Sequence, residues 1–280
     1  MKLIEQNVEL IKQEPGIEGI YKQIEVAARL CYKSEDKITE DSAKKFVDML
    51  IKNEHGAMLE HGTVYLKLPV TGEYFKVWTR YSNNKYTGVT KLTKYNTECF
   101  ITTNYRVLVE NGWLDDLKYL CEPTEFHKKR YSLKFTTSIG ITRELTRHRV
   151  FSFACESTRY VNYRNRGLEF VKSYWYDKFN EPCDKNGYRK IGTSDMFTIR
   201  DFESYLQNAE YNYLAAINAG AKPQEAREML PLCTKSEIIM TGFESDWENF
   251  FKLRCDKTAH PDMQIIANKS KRTFKSLKNE

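Results

Sequence analysis

The spacing of apolar residues predicts most of the elements of this chain. From Gly19 to Tyr32, Ile20, Ile24, Ala27, Ala28 and Cys31 recur at steps of three and four, giving a helix one apolar face. Thr39-Glu40-Asp41-Ser42 places carboxylates at the start of a second helix, where the helix dipole favours them; Phe46, Met49 and Leu50 form its inner side. Residues 3–12 predict a short strand and turn. Thr63 to Pro69 is β-branched and aromatic, and Tyr131 to Thr137 alternates. Both are predicted strands, expected to pair with each other across the segment between them. Within that segment, Asn104–Leu120 has helical spacing and 126–130 is a basic spacer.

Residues 138–147 predict a helix whose last turn delivers Arg147 and His148, and 150–160 is extended or looped. A strand over 168–176 and a polar loop over 177–194 lead to a long helix from Met196 to Asn218, capped by Asp195. Lys222–Pro231 is a short helix bounded by prolines, and 237–241 is a strand. A helix over 246–254 carries Trp247, Phe250 and Phe251 inward, and Pro261 opens a last amphipathic helix. No linker divides the chain, so a single domain over residues 1–280 is expected.

Composition narrows the function classes. The 280 residues carry 44 basic and 38 acidic side chains, a net charge of +6, too mild to mark a nucleic-acid binder and suited to a small anionic ligand held at a local cluster. Seven scattered cysteines without C-x-x-C spacing argue against a disulfide framework and for a reducing, cytoplasmic setting. Five histidines include no i,i+4 pair, so no metal is expected, and no apolar run approaches membrane-spanning length. Neither glycine-rich phosphate loop occurs, so any nucleotide is held by side chains.

The candidate chemistry gathers between Arg147 and Tyr160. Arg147, Arg149, Arg159 and Arg227 supply guanidinium forks that match phosphate oxygens. On an extended backbone Ser157 and Arg159 face the same way, so both can grip one phosphate. For Arg227 the competing assignment is a surface ion pair with Glu225 or Glu228. Two alternatives stand beside nucleotide chemistry: a basic, tyrosine-rich nucleic-acid surface, and a cysteine-dependent transferase or hydrolase built on Cys155 and His148.

Arg147-His148-Arg149, seven residues and then Ser157 resembles the R-H-R-x7-S signature of the flavin-dependent thymidylate synthases. Ala27-Ala28-Arg29, Glu60-His61, Ala226-Arg227-x-x-Leu230-Pro231, and Asn249-Phe250-x-x-Leu253-Arg254 with Ala259-His260 follow in the family's order. The resemblance implies reductive methylation of dUMP to dTMP, with methylenetetrahydrofolate as carbon donor, FAD as redox cofactor and NADPH as reductant, and without a cysteine nucleophile. Arg254 matches the arginine that favours ionised uracil. Glu144, Arg147, Ser157, Arg159 and Arg227 match dUMP-binding positions, and His61, Arg147, His148, Arg149 and Asn249 match FAD-binding positions. The implied fold is α+β, a mostly antiparallel central sheet flanked by helices, with an insertion near 71–130. The implied assembly is a homotetramer with shared active sites that binds neither nucleic acid nor membrane. The chain departs from the family at Ala154-Cys155, where Asn-Glu is common and Glu156 is the candidate replacement, at Glu144 (commonly Gln), and at Phe243-Glu244-Ser245 (commonly Asn-x-Arg).

Overall fold

Alternating burial along three strands builds a central sheet with helices on both faces. The computed structural model describes residues 1–69, 72, 74–92, 98–177, 189–191, 195–197 and 199–277. Strands β1 (Lys2–Ile4) and β2 (Asn7–Ile11) precede helices α1 (Gly16–Tyr32), α2 (Ser42–Lys52) and α3 (Gly56–Leu59). Then come β3 (Thr63–Pro69), α4 (Tyr74–Ser82), β4 (Gly88–Leu92), β5 (Glu98–Asn104) and α5 (Tyr105–Asn111). The central part comprises β6 (Arg130–Ser138), α6 (Ile139–Leu145), β7 (Ser152–Cys155) and β8 (Glu169–Val171). The last part runs β9 (Arg189–Ile191), β10 (Asp195–Phe197), α7 (Ile199–Asn218), α8 (Pro223–Ala226), β11 (Lys235–Phe243), α9 (Glu244–Arg254) and α10 (Pro261–Leu277).

The four-stranded sheet has the order β2-β6-β11-β7 and is antiparallel throughout. Its longest ladder pairs β6 with β11 from Ser138↔Lys235 to Arg130↔Phe243. One face carries Leu133, Phe135, Ile238 and Met240 against Trp247 and Phe250 of α9 and Met263 and Ile266 of α10. The other carries Ala154 and Ile239 against Ala27 and Leu30 of α1. This antiparallel sheet between helices is an α+β arrangement, with only the short β1–β8 pair parallel among the described strands.

The strand predicted at 63–69 does not pair with 131–137. Its seven residues pair with β5, and β5 pairs with β4, forming a separate three-stranded sheet. The physical reason is that β6 has both edges filled, by β2 and β11, and offers no free ladder. Val64, Leu66, Leu68 and Ile101 of this second sheet pack with Ile20 and Ile24 of α1 and Val47 and Leu50 of α2. The predicted helix over 104–120 is divided at Gly112, whose φ of +68° ends α5, and a 3-10 turn over Leu114–Tyr119 follows. The long helix begins at Ile199, because Asp195–Phe197 pairs with Arg189–Ile191 as a hairpin. Most of the predicted polar loop at 177–194 lies outside the described residues.

Lys33 ends α1 in the left-handed region (φ 51°), and its side chain enters a buried ion cluster. It pairs with Glu156 at 3.6 Å and with Glu237; Lys235 reaches Glu156 at 3.4 Å and Lys134 reaches Glu237 at 3.3 Å. The Tyr163 hydroxyl donates to Glu156 at 2.9 Å.

Candidate active site

Arg254 is placed by two elements that leave opposite ends of the β6–β11 ladder. Ser138 ends β6 and caps α6 by accepting the Ile141 N–H. Phe243 ends β11 at the other end, and its N–H is held by Asp246 at 3.0 Å, which starts α9. Eleven residues of α-helix span about 16 Å, so α9 travels back along the sheet and its last residue meets the end of α6. There the Arg254 Nε–H donates to His148 Nε2 at 2.8 Å, and the terminal nitrogens donate to the Glu144 carboxylate at 3.0 Å and to its carbonyl at 3.2 Å. Three of the five guanidinium N–H groups are used, and two remain for a ligand.

His148 can accept only while it is neutral. Burial first, and the Arg254 charge second, lower its pKa to about 4, so the lone pair at Nε2 persists at neutral pH. Its ring rests against the Phe250 ring at 5.0 Å. The tight turn after α6 turns His148 inward and leaves Arg147 and Arg149 exposed. Arg147 and Arg149 make no side-chain hydrogen bond or ion pair with other described residues.

Arg149 lines a cavity of about 470 Å³ between the two sheets. Arg130, Phe151 and Phe243 also face it, as do Lys85 and Tyr86 from the turn between α4 and β4. Arg130 is nine-tenths buried; its guanidinium donates twice to the Glu60 carbonyl at 3.2 Å and lies 5.6 Å from the Phe243 ring centre. Burial lowers its pKa to about 10, which leaves it charged at neutral pH. The residues present suit a flavin nucleotide: cations for an anionic group beside aromatic faces, in a volume normal for ligand sites.

His61 and Asn249, both expected at FAD, do not line this cavity. His61 has no exposed surface. Its Nδ1 is 2.8 Å from Thr241 Oγ1, which is 2.7 Å from Ser132 Oγ, and burial followed by the Arg130 charge lowers its pKa to about 3. It is therefore a core contact at the back of the sheet; its neighbour Glu60 is the one that reaches the cavity. Asn249 is exposed on α9 and does not line the cavity.

Ser157, Arg159 and Arg227, expected at the nucleotide phosphate, lie on the turn after β7 and at the end of α8. Residues 157–160 form a turn, not an extended strand, because the Ser157 carbonyl accepts the N–H groups of Tyr160 and Val161. Ser157 and Arg159 therefore do not share a face by strand alternation. The Ser157 N–H is anchored on the Cys31 carbonyl at the end of α1. Arg159 reaches Gln224 of α8 at 3.5 Å, one helical turn before Arg227, so the two arginines approach the same element. Arg227 lies 3.7 Å from Glu228 and is 43% exposed, a weak surface pair. This group sits beyond the Cys155 end of β7, and Arg149 lies before its Ser152 end.

The departures also find physical accounts. Glu144 forms an ion pair with Arg254. The Glu156 carboxylate, the candidate replacement for the usual glutamate, is held in the ion cluster with Tyr163 and Lys235. Phe243 caps α9 and covers Arg130. Cys155 has its thiol pKa raised by burial and its Sγ 3.8 Å from Ser236 Oγ, while His148 is engaged by Arg254. The Cys155–His148 pair is not formed. Among the described residues no group of three or more His, Cys, Asp or Glu side chains is placed to hold a metal, and no helix is long and apolar enough to cross a membrane. Sequence reasoning missed Arg130, Lys85 and Tyr86, since a basic spacer and a turn carry no periodic signal.

Residues 110–277 match the family described as thymidylate synthase complementing protein, Thy1. A flavin-dependent thymidylate synthase of Geobacter sulfurreducens is 29% identical over 51% of this chain and 57% of its own length. One of Synechocystis is 26% identical over 51% and 65%, so the chain spans less than two thirds of either relative. One of Aquifex aeolicus is 22% identical over 89% of this chain and 92% of its own. A solved UMP/dUMP methylase, PolB of Streptomyces cacaoi bound with 5-Br dUMP, aligns over 99% of this chain and 93% of its own with 17% identity and a TM-score of 0.46.

Proposed function

The chain belongs to the thymidylate synthase complementing protein family, and from that premise we propose that it is an FAD-dependent thymidylate synthase converting dUMP to dTMP, with methylenetetrahydrofolate as carbon donor and NADPH as reductant. The observation that carries this is the fixation of Arg254 by Glu144 and His148 with two N–H groups to spare. A uracil ring activated for methylation gains negative charge, and a preorganised guanidinium beside it lowers the energy of that charge without reorganising. Glu144 and neutral His148 hold the planar fork in one orientation. Arg147, Ser157, Arg159 and Arg227 take the nucleotide, the arginines matching its phosphate.

Arg149 and Arg130 hold the flavin, which supplies redox chemistry when bound; Arg147 and His148 lie at the junction of the two ligands. His61 acts from behind, through Thr241 and Ser132. The resemblance to the family carries the remaining part of this reading, a homotetramer whose sites are shared between copies. The chain is one domain with an insertion near residues 71–130.

The test is direct. Purified protein given FAD is expected to develop flavin absorbance that NADPH bleaches, and to form dTMP from dUMP and methylenetetrahydrofolate. Protein that binds no FAD and makes no dTMP ends this assignment.

A further inference from the structure

We propose that Lys85 and Tyr86 form the outer wall of the flavin cavity and bind the dinucleotide end of FAD, with Lys85 on the pyrophosphate and Tyr86 against the adenine. Both residues precede the family match, which begins at residue 110; the wall has a role only if the flavin assignment above holds.

Charge pairing around the cavity carries the inference. Three cations face it, Lys85, Arg130 and Arg149, with two carboxylates, Glu60 and Asp246. Glu60 is already engaged: one oxygen accepts from Arg106 at 2.6 Å and the other from Ser152 Oγ at 2.7 Å. Asp246 accepts the Phe243 N–H at 3.0 Å, and burial raises its pKa against the opposing pull of that hydrogen bond and of the Arg130 charge. Lys85 and Arg149 are left without a carboxylate partner among the described residues. Two uncompensated cations facing one cavity match a ligand carrying two negative charges, and the pyrophosphate of FAD carries two.

The tip is also built to hold its position. Asn84 Oδ1 accepts the Tyr86 N–H at 2.9 Å, and Thr87 Oγ1 donates to Thr103 Oγ1 at 2.9 Å, pinning the turn to β5. The Tyr86 ring is 53% exposed, with the Lys85 ammonium 4.9 Å from its centre. An exposed aromatic face beside a cation is a sequence-tolerant platform for a purine base.

The test is flavin fluorescence titration of apoprotein with FAD and, separately, riboflavin, which lacks the pyrophosphate and the adenine. Lys85→Ala with Tyr86→Ala is expected to weaken FAD binding at least about tenfold, the loss of one charge-assisted contact, while riboflavin binding stays unchanged. Lys85→Arg should retain FAD affinity, and Lys44→Ala, at an exposed lysine paired with Asp48 on α2, should match wild type. Circular dichroism confirms that each variant is folded. FAD affinity within twofold of wild type in the double variant overturns the wall but leaves the flavin assignment standing. An equal loss for riboflavin overturns the placement of the dinucleotide end. Wild-type protein that binds no FAD overturns both.

Discussion

Replacing Arg254 with alanine separates the role of this residue in methylation from its role in packing. The substitution removes three hydrogen bonds, two to Glu144 and one to His148. The Glu144 carboxylate is one-third exposed and regains water, so the ion pair contributes about 1 kcal/mol or less; the contact to neutral His148 adds about 1 kcal/mol. The expected loss of stability is therefore about 1–2 kcal/mol, small against the 5–15 kcal/mol typical of a folded domain. The variant folds, and chemical denaturation shows a modest shift of midpoint with an unchanged slope. Catalysis is different, because a fixed donor to a developing anion is worth about a hundredfold to a thousandfold in rate. Single-turnover assays should show dTMP formation falling by that factor while reduction of bound FAD by NADPH stays near wild type. Removal of the Arg254 charge also lifts one cause of the low His148 pKa, so NMR should show the imidazole titrating above its present midpoint of about 4 but, with burial unchanged, below the usual 6.5. Parallel loss of both half-reactions, or dTMP formation within a few-fold of wild type, refutes the assigned role.

Acid should destabilise the protein through His61 and His148. Both have folded pKa values depressed, to about 3 and about 4, by burial first. Below an unfolded value of about 6.5 the unfolded chain binds protons that the folded chain refuses, so stability is full above pH 6.5 and falls as pH drops toward 4. Fully buried His61 contributes up to about 1.4 kcal/mol per pH unit and half-buried His148 less; urea titrations from pH 7 to 5 should show the slope, and His61→Asn should flatten it. Gly242→Ala should cost about 1–3 kcal/mol, since a Cβ there collides with the Phe151 ring, itself packed on Trp247 at 4.7 Å; an unchanged Tm contradicts this. Cys155→Ala should keep dTMP formation near wild type, and abolished turnover would restore the cysteine alternative.

Local pattern carried the helices. The steps of Ile20, Ile24, Ala27 and Ala28 found α1, and the aromatic stripe Trp247, Phe250, Phe251 found α9, because such faces are written in neighbouring residues. Strand partners were not legible in the same way. Thr63–Pro69 looks equally fit to pair with β5 or β6, and the choice turned on β2 and β11, distant in sequence, filling the edges of β6. The resemblance drew attention to Arg147, His148 and Arg254, but the contact between the last two joins residues 106 positions apart and was not legible in any spacing. Arg130, in a basic run, had no mark of burial until Phe243 and the Glu60 carbonyl enclosed it. The burial of His61 was equally hidden: a histidine next to Glu60, which lines the cavity, can itself point into the core.

The ion cluster of Lys33, Glu156, Glu237, Lys134 and Lys235 bears on how this sequence can change over time. Its members come from the end of α1, the motif after β7, and two central strands. Losing one partner strands the opposing charge away from water, at a cost of about 3–5 kcal/mol for a well-buried pair. A lineage altering Glu156 must therefore alter Lys33 or Lys235 in step, or pass through a poorly folded ancestor. The signature motif is thus tied to residues far outside it by inheritance as well as by contact, and these five positions should drift as one unit.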